Sequence, residues 1–506
     1  MKSNDNNFLD RRAAIYHDPN LGYPLNPPYS PSKFYPEYKL KHFLDNENLV
    51  YDRIRQTLLL LGMDSENYGT PFWNPFKLIV KPGDKVVIKP NFVLDRHDNG
   101  GDLYSIITHP AIIRTVIDYV FIALEGKGRI IIADAPQMDC NFDNLLIKTG
   151  LLSIRKLYKE EFGFNIEIYD LRQFWFDAIK AKGSRAAYTK FRYNLPGDPE
   201  GEVLVSLGKK SLFYGINSKN FYGADYDRRE IIRYHHDEIH DYLISKTILS
   251  ADTIIMLPKL KVHKKVGVTL NIKGFVGTVV NKNCLIHYRL GTPSRGGDQF
   301  PENFLLKQEE IATKLQRLAS DVLLSRRNKT TDTIYDSLIK IALPIFKSLG
   351  LSTRREIRNL DDGNWFGNDS AWRMVIDLYR IFLYADKNGN MCDKLQERKM
   401  FSIIDGIIGG EGNGPLVPNS KKGGIIIAGF DPGAVDIVGT RIMGFDYNKL
   451  KKLSYILSNP KLFGVSKEDI TILSNQNDYF DLLNDGNSKR YLGFEPHPGW
   501  KGYIEI

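Results

Sequence analysis

The stretch Thr253–Gly277 reads TIIMLPKLKVHKKVGVTLNIKGFVG, and it fixes what kind of fold surrounds it. Thr253 to Met256 is a short apolar run, the pattern of a strand buried on both faces. Pro258 has no N–H to give to a ladder, so regular pairing is expected to end about there. If the backbone stays extended, Lys259, Lys261 and His263 fall at alternate positions and share one face. Two ammonium groups and an imidazole at a strand exit suit an anionic ligand, because open α/β sheets bind ligands at the carboxyl ends of their strands. A solvated basic edge that resists aggregation is the plainer reading of the same residues. Thr269, Asn271 and Lys273 continue the polar face if the next segment is extended. If it is helical, Lys273 lies one turn beyond Thr269 and Asn271 leaves the set.

Strand and helix patterns alternate on either side of this stretch. Lys85 to Ile88 reads as a strand ending in Lys89-Pro90-Asn91. Pro110 to Leu124 follows as a helix with Thr108 as its cap, and Arg129 to Ala133 is the next strand, ending in Asp134-Ala135-Pro136. Strand, helix, strand at this spacing predicts a βαβ unit and a parallel sheet. A helix over Asp143 to Phe162, a strand over Asn165 to Tyr169, a β excursion around Glu202 to Leu207 and a helix over Ile239 to Leu249 are expected next. Phe304 to Arg326 and Ser370 to Tyr384 have helical periodicity with charged faces. Strand Phe401 to Ile404, a glycine-rich loop, strand Gly424 to Ala428 and a helix through Val435 to Met443 resume the alternation.

The expected architecture is therefore α/β, with a mostly parallel sheet flanked by helices, a helical insertion and an extended N-terminal arm. Residues 1–45 form the Pro/Tyr-rich arm, held down by its aromatics. Residues 46–300 are the α/β core with the basic motif. Residues 301–400 are a helical insertion or lid, with 302–400 as a surface for a protein partner. Residues 401–506 complete the core.

Four strand ends carry polar clusters: Lys89 with Asn91; Asp134; Lys259, Lys261 and His263; and Asp405 with the loop behind it. Parallel strands end on one side, so Lys89, Asp134, Lys261, His263 and Asp405 are expected to line one cleft. The loop Asp405–Pro415, DGIIGGEGNGP, is neither GxGxxG nor a Walker loop. Its glycines, Gly410, Gly412 and Gly414 among them, let a backbone present N–H groups to an anion. Asp405 and Glu411 are also candidate ligands for a divalent metal such as Mg²⁺ or Mn²⁺. Asp431 is better read as a helix cap. His109 stands at a helix start, where the dipole favours the neutral ring. His236 and His240 would share a helix face as metal ligands do, although the Glu of HExxH is missing and a solvated face is the stronger reading. His287 and Arg295 lie in a flexible stretch suited to a cleft rim.

Composition narrows the class. The chain has 506 residues, 42% hydrophobic and 25% charged, with a formal net charge of +9. This is ordinary for a folded protein and only mildly basic. Three scattered cysteines without a CxxC pair exclude a zinc ribbon or a self-contained four-cysteine iron–sulfur site, so no iron–sulfur cluster is expected. Sparse thiols, no signal-like N-terminal apolar core and no run long enough to span a membrane give a cytoplasmic expectation. The basic residues interleave with aliphatics and no stacking platform stands out, which argues against nucleic acid.

Together the segments Ile88–Asn91, Thr108–Pro110, Ala133–Pro136, Leu257–His263, Thr269–Gly277, Ile404–Pro415 and Asp431–Gly444 resemble DUF362, a family of uncharacterised function. Departures are Val262, where a small polar residue is usual, and Gly274, where Asn is usual. Many relatives carry cysteine-rich iron–sulfur segments, which this chain lacks. The Pro/Tyr-rich arm looks like a branch associated with bacterial surface-polysaccharide gene clusters. The resemblance implies a fold and a shared cleft rather than a reaction. The expectation is an enzyme acting on a small anionic substrate, phosphorylated or carboxylated. His263, Lys261 and Asp405 would be catalytic, and Lys89, Asn91, Asp134, Lys259, Thr269, Asn271, Lys273 and the loop glycines would bind ligand. The alternative is a non-catalytic anion-binding or scaffold protein of a biosynthetic cluster.

Overall fold

The computed structural model describes residues 1–506 apart from 1–9, 41–43, 46, 182–190, 224–227, 305–306, 324–327, 349–359 and 485–489. In chain order its first half contains β1 (Arg12–His17), α1 (Leu49–Leu60), β2 (Lys85–Pro90), α2 (Pro110–Leu124), β3 (Arg129–Asp134), α3 (Phe142–Thr149), α4 (Leu151–Phe162) and β4 (Glu167–Asp170). The middle contains β5 (Glu202–Ser206), β6 (Ile239–Ser245), β7 (Thr253–Leu257), β8 (Lys259–His263) and α5 (Leu270–Gly274). The remainder is α6 (Lys307–Leu323), α7 (Lys329–Ser348), α8 (Ala371–Tyr384), β9 (Lys399–Glu411), β10 (Asn419–Gly429), α9 (Pro432–Met443) and β11 (Thr471–Ser474).

The main sheet runs β11-β1-β10-β9-β7-β2-β3-β4. From β9 to β4 every neighbouring pair is parallel, whereas β10 is antiparallel to both β9 and β1. Alternation along each strand feeds two cores. Val87, Ile131, Ile254 and Met256 pack on one face with α8 and α9. Val86, Ile88, Ile130, Ile132, Ile255 and Leu257 pack on the other with α1, α2 and the arm. Covering both faces is why these strands read as unbroken apolar runs.

The arm does more than lie over the body. Its first segment, β1, enters the sheet between β10 and β11, and Tyr29, Tyr35 and Tyr38 are buried beyond it. The block 301–400 divides in two. α8 belongs to the core, with Met374, Val375, Leu378 and Ile381 buried. α6 and α7 form a separate pair, and both ends of the expected helix Phe304–Arg326 run into residues outside the described set.

Several local expectations are corrected. Ile239–Leu249 is strand β6 followed by a short helix, because His240, Tyr242 and Ile244 alternate inward and Tyr242 and Ile244 pair with Val205 and Val203 of β5. His235 and His236 pair with His240 and Ile239 in a tight hairpin rather than sharing a helix face. The helix expected over 143–162 breaks at Gly150, whose φ of 66° ends α3 and opens α4. The cap of α2 is His109, whose Nδ1 accepts from the Ala111 N–H at 3.1 Å. Thr108 Oγ1 instead donates to the Leu257 carbonyl at 2.6 Å. The glycine-rich loop is mostly strand: β9 continues through Glu411. Its glycines answer to close packing, since a Cβ on Gly406 would collide with Ile425 and one on Gly410 with the Ser105 carbonyl.

Candidate functional site

β8 projects past the sheet because β9 is long enough to pair twice. β9 holds β7 through residues 399–402, then β8 through Asp405 and Gly410, with a register shift between them. Residues 270–274 are helical, so Lys273 sits one turn beyond Thr269. Asn271 turns away from the basic face: its backbone N–H and side-chain NH2 donate to Asp436, and its Oδ1 accepts from the Ser402 hydroxyl. Asp431 caps α9 through Ala434 N at 2.9 Å.

These elements enclose a cavity of about 520 Å³ at the carboxyl edge of the sheet. Lys89, Asn91, Asp134, Lys261, His263, Thr269 and Lys273 all line it. Lys264, Lys265, Lys282 and His287 join them, giving six lysines and two histidines around one space. Three carboxylates also line it, and each already faces a cation. Asp134 pairs with Lys89 at 2.9 Å, Asp139 with Arg96 at 2.7 Å, and Asp362 with Arg317. A Cβ on Gly277 would collide with Asp134 and Lys89, so the backbone there must be bare for the pair to fit.

Positive charge is therefore in excess. Among the described residues, Lys261, Lys264, Lys273 and Lys282 have no carboxylate at ion-pair distance. Lys261 Nζ donates to the Ile106 carbonyl at 2.6 Å and Lys282 Nζ to the Val276 carbonyl at 2.7 Å. Burial first, and neighbouring ammonium groups second, push the lysines down. Lys273 falls to about 7 beside Lys452, Lys89 and Lys265. Lys282 also falls to about 7, with Asp134 opposing the shift. Lys261 lies well below its ordinary value. Two polar atoms on the wall, Thr269 Oγ1 and Asn91 Oδ1, are buried with no hydrogen-bond partner, an arrangement that normally costs stability unless a ligand or water completes it.

The two histidines present different atoms. His263 Nδ1 accepts from the Lys265 N–H at 3.0 Å, which assigns the proton of the neutral ring to Nε2. His287 Nδ1 lies 3.0 Å from the Leu285 carbonyl, an acceptor only, so its proton sits on Nδ1 and Nε2 carries the free lone pair. Burial and then Lys273 hold both rings well below the usual imidazole range, hence neutral.

Lys259 and Asp405 lie outside this cavity. Both are fully buried and pair at 2.9 Å. Tyr23 of the arm seals them: its hydroxyl donates to Asp405 Oδ1 at 2.5 Å and accepts from Lys259 Nζ at 2.7 Å. His109 stacks on the Tyr23 ring with centroids 4.0 Å apart. Gly410, Gly412 and Gly414 do not line the cavity, and the Gly414 Cα faces the Val262 carbonyl instead. Glu411 accepts from Glu495 N–H at 3.0 Å and pairs with Lys421 at 3.3 Å. Asp405 and Glu411 are six residues apart on one strand, roughly 15–20 Å, and do not converge on one cation. Among the described residues no group of three or more His, Cys, Asp or Glu gathers as a metal site would.

Lys264, Lys265 and Lys282 are the lining lysines that the sequence reading passed over. Lys264 and Lys265 sit beside His263 in the same motif, and a turn folds both toward the cavity. Lys282 carried no local signal, because only the tertiary fold brings it beside Lys89 and Lys273.

Fold and site together define an α/β protein with a cationic cavity at the edge of a mostly parallel sheet. Residues 195–441 match the family model described as a domain of unknown function, DUF362, and the chain resembles that family. The match runs from before β5 to Arg441 in the last turn of α9 and leaves Lys89, Asn91 and Asp134 outside it. No curated protein and no solved structure matches the chain.

Proposed function

We propose that this protein is an enzyme acting on a small anionic substrate, with a phosphate or carboxylate group held by Lys261, Lys264, Lys273 and Lys282. The observation that carries the reading is the excess of buried ammonium groups around one cavity, with Thr269 and Asn91 unsatisfied on its wall. An anion there would offset the mutual repulsion that lowers these lysines. His287, with a bare Nε2, is the base that removes a proton. His263, a neutral ring with its proton on Nε2, polarises the substrate oxygen where charge develops. Binding an anion raises the basicity of His287, so the base is switched on by its own substrate. Proton abstraction beside a carbonyl and group transfer both fit this pair. A cytoplasmic setting, in surface-polysaccharide or other secondary biosynthesis, is part of the same proposal and is carried by sparse thiols and family resemblance.

One observation favours a purely anion-binding protein: among the described residues no side-chain carboxylate orients His263 or His287. Thermal unfolding against a panel of sugar phosphates, nucleotides, carboxylates and sulfate tests the reading. Selective stabilisation by phosphorylated compounds, lost in Lys273→Ala, is expected; an equal response of Lys273→Ala and the parent would sink it. On a substrate found this way, His287→Gln should lower turnover by ~10²–10⁴-fold while binding persists. Unchanged turnover would leave the binding protein.

A further inference from the structure

Among the described residues, the Lys273 amine is the least committed of those that line the cavity. Lys89 is paired with Asp134, Lys261 and Lys282 donate to the Ile106 and Val276 carbonyls, and Lys265 donates to the Asp362 carbonyl. Lys273 lines the same space with neither a hydrogen bond nor a carboxylate at ion-pair distance among those residues. Lys264 also lacks a side-chain hydrogen bond, but Asp362 offsets its charge. Lys273 acts on both histidines: after burial, it is the largest influence holding His263, His287 and Lys261 down. Thr269, one turn before it, brings an unpartnered hydroxyl to the same wall and is 4% exposed. An ammonium kept only to hold charge gains from carbonyl or carboxylate acceptors. An amine ringed by cations and given neither is favoured in its neutral form, with a lone pair on nitrogen. Desolvation beside other cationic groups is how a lysine becomes a nucleophile toward a carbonyl carbon.

We propose that Lys273 is the nucleophile of a covalent step and that the substrate is a small carbonyl compound carrying the anionic group. The choice of substrate rests on the anion-binding reading of the cavity, which supplies Lys261 and Lys282 for the phosphate or carboxylate. The neutral Nζ adds to the carbonyl carbon, forming the C–N bond as the C=O π pair moves to oxygen. Thr269 Oγ1 and His263 Nε2–H donate to that oxygen as its charge develops. One proton passes from nitrogen to the oxygen by way of His287 Nε2, giving a neutral carbinolamine. A second proton, from the medium, converts the hydroxyl to water, which leaves as the nitrogen lone pair forms C=N. Amine, carbonyl and one proton enter; a protonated imine and water result, with no oxidant or reductant. The protonated imine keeps the charge of the ammonium it replaces, so the anion is still answered. It also draws electrons from the adjacent C–H, whose proton is the one His287 removes.

Reductive trapping of the full chain tests the step, with dihydroxyacetone phosphate and pyruvate as probes and sodium cyanoborohydride to reduce a protonated imine to a secondary amine. At pH 7 about half of Lys273 is free amine, whereas a lysine of ordinary value is almost wholly ammonium. The expected result is a single label, placed on Lys273 by peptide mapping and suppressed by excess sulfate. Lys273→Arg keeps the charge but has no amine able to form an imine, so it should lose the label and keep its thermal stabilisation by sulfate. No label on the parent protein overturns the proposal, as does a label spread over surface lysines or fixed on Lys264 or Lys282. Mapping on the parent decides this even where the variant fails to fold. Stabilisation by sulfate without a label would keep the anion site and remove the covalent step. A label on Lys273 that sulfate does not suppress, in a protein that sulfate does not stabilise, would keep the nucleophile and remove the anion reading.

Discussion

Lys259 and Lys261 are two residues apart on one strand, both buried, and they differ in what answers their charge. Lys259 faces Asp405 at 2.9 Å, and the pair is closed over by Tyr23 and His109. Among the described residues Lys261 has main-chain carbonyls alone as acceptors, with Lys273 and Lys259 among the charges that depress it. A buried ion pair whose two members also share a bridging hydroxyl is a structural joint. A buried cation left to carbonyl dipoles, beside other cations and unpartnered polar atoms, is a vacancy in the charge balance. The comparison teaches that basic character in a motif says little until each charge is matched against its partner.

The largest expected effect lies on the closed side. Asp405→Ala leaves Lys259 buried and unpaired, which should cost about 3–5 kcal/mol of stability in denaturant unfolding. A loss below about 1 kcal/mol would mean that Lys259 sheds its proton readily, and the contrast with Lys261 would break. On the open side the sign reverses. Lys261→Met removes a cation that has no carboxylate, so the empty protein should be as stable as the parent or more so. Its affinity for sulfate should fall about tenfold or more, the weight of one hydrogen bond to a charged group. Unchanged sulfate affinity by calorimetry would show that Lys261 belongs to the framework.

How far this was legible in sequence follows the same division. The parallel sheet was legible because strands covered on both faces are unbroken apolar runs, and Lys89, Asp134, Lys261 and His263 were legible as strand exits. Asp405 stands at an equally good exit, yet an arm residue 382 positions away in sequence fills the space over it. Only the tertiary fold carries that information. The glycine run misled for a related reason: bare backbone serves close packing against Ile425 and Ser105 as well as it serves an anion. In β6, pairing with β5 overrode a pattern that also fits a helix.

A smaller effect sharpens the comparison from the arm. Tyr23→Phe keeps the stacking on His109 but removes the hydroxyl that bridges Lys259, Asp405 and Ile408 N–H. A loss of about 1–2 kcal/mol is expected, one hydrogen bond to charged partners. Sulfate affinity should not change. A marked drop in that affinity would mean that the sealed cluster and the cavity communicate.

The finest test is the proton balance of the open side. Lys265, Lys273 and Lys282 titrate at about 7 in the folded protein, against an ordinary value of 10.5. Between those values the unfolded chain holds more protons, so these groups make the empty protein more stable as pH rises from 7 toward 10.5, and below 7 their penalty is complete. Anion binding runs the other way. Sulfate, which does not titrate in this range, favours the ammonium forms and raises their pKa. At pH 8 its binding should therefore take up protons, and at pH 6, where the lysines are already charged, uptake should approach zero. Each proton taken up weakens affinity by about 1.4 kcal/mol per pH unit. Calorimetry in buffers of different ionisation enthalpy reads the uptake directly. Release of protons, or no exchange at pH 8, would mean that the unmatched lysines do not hold the anion.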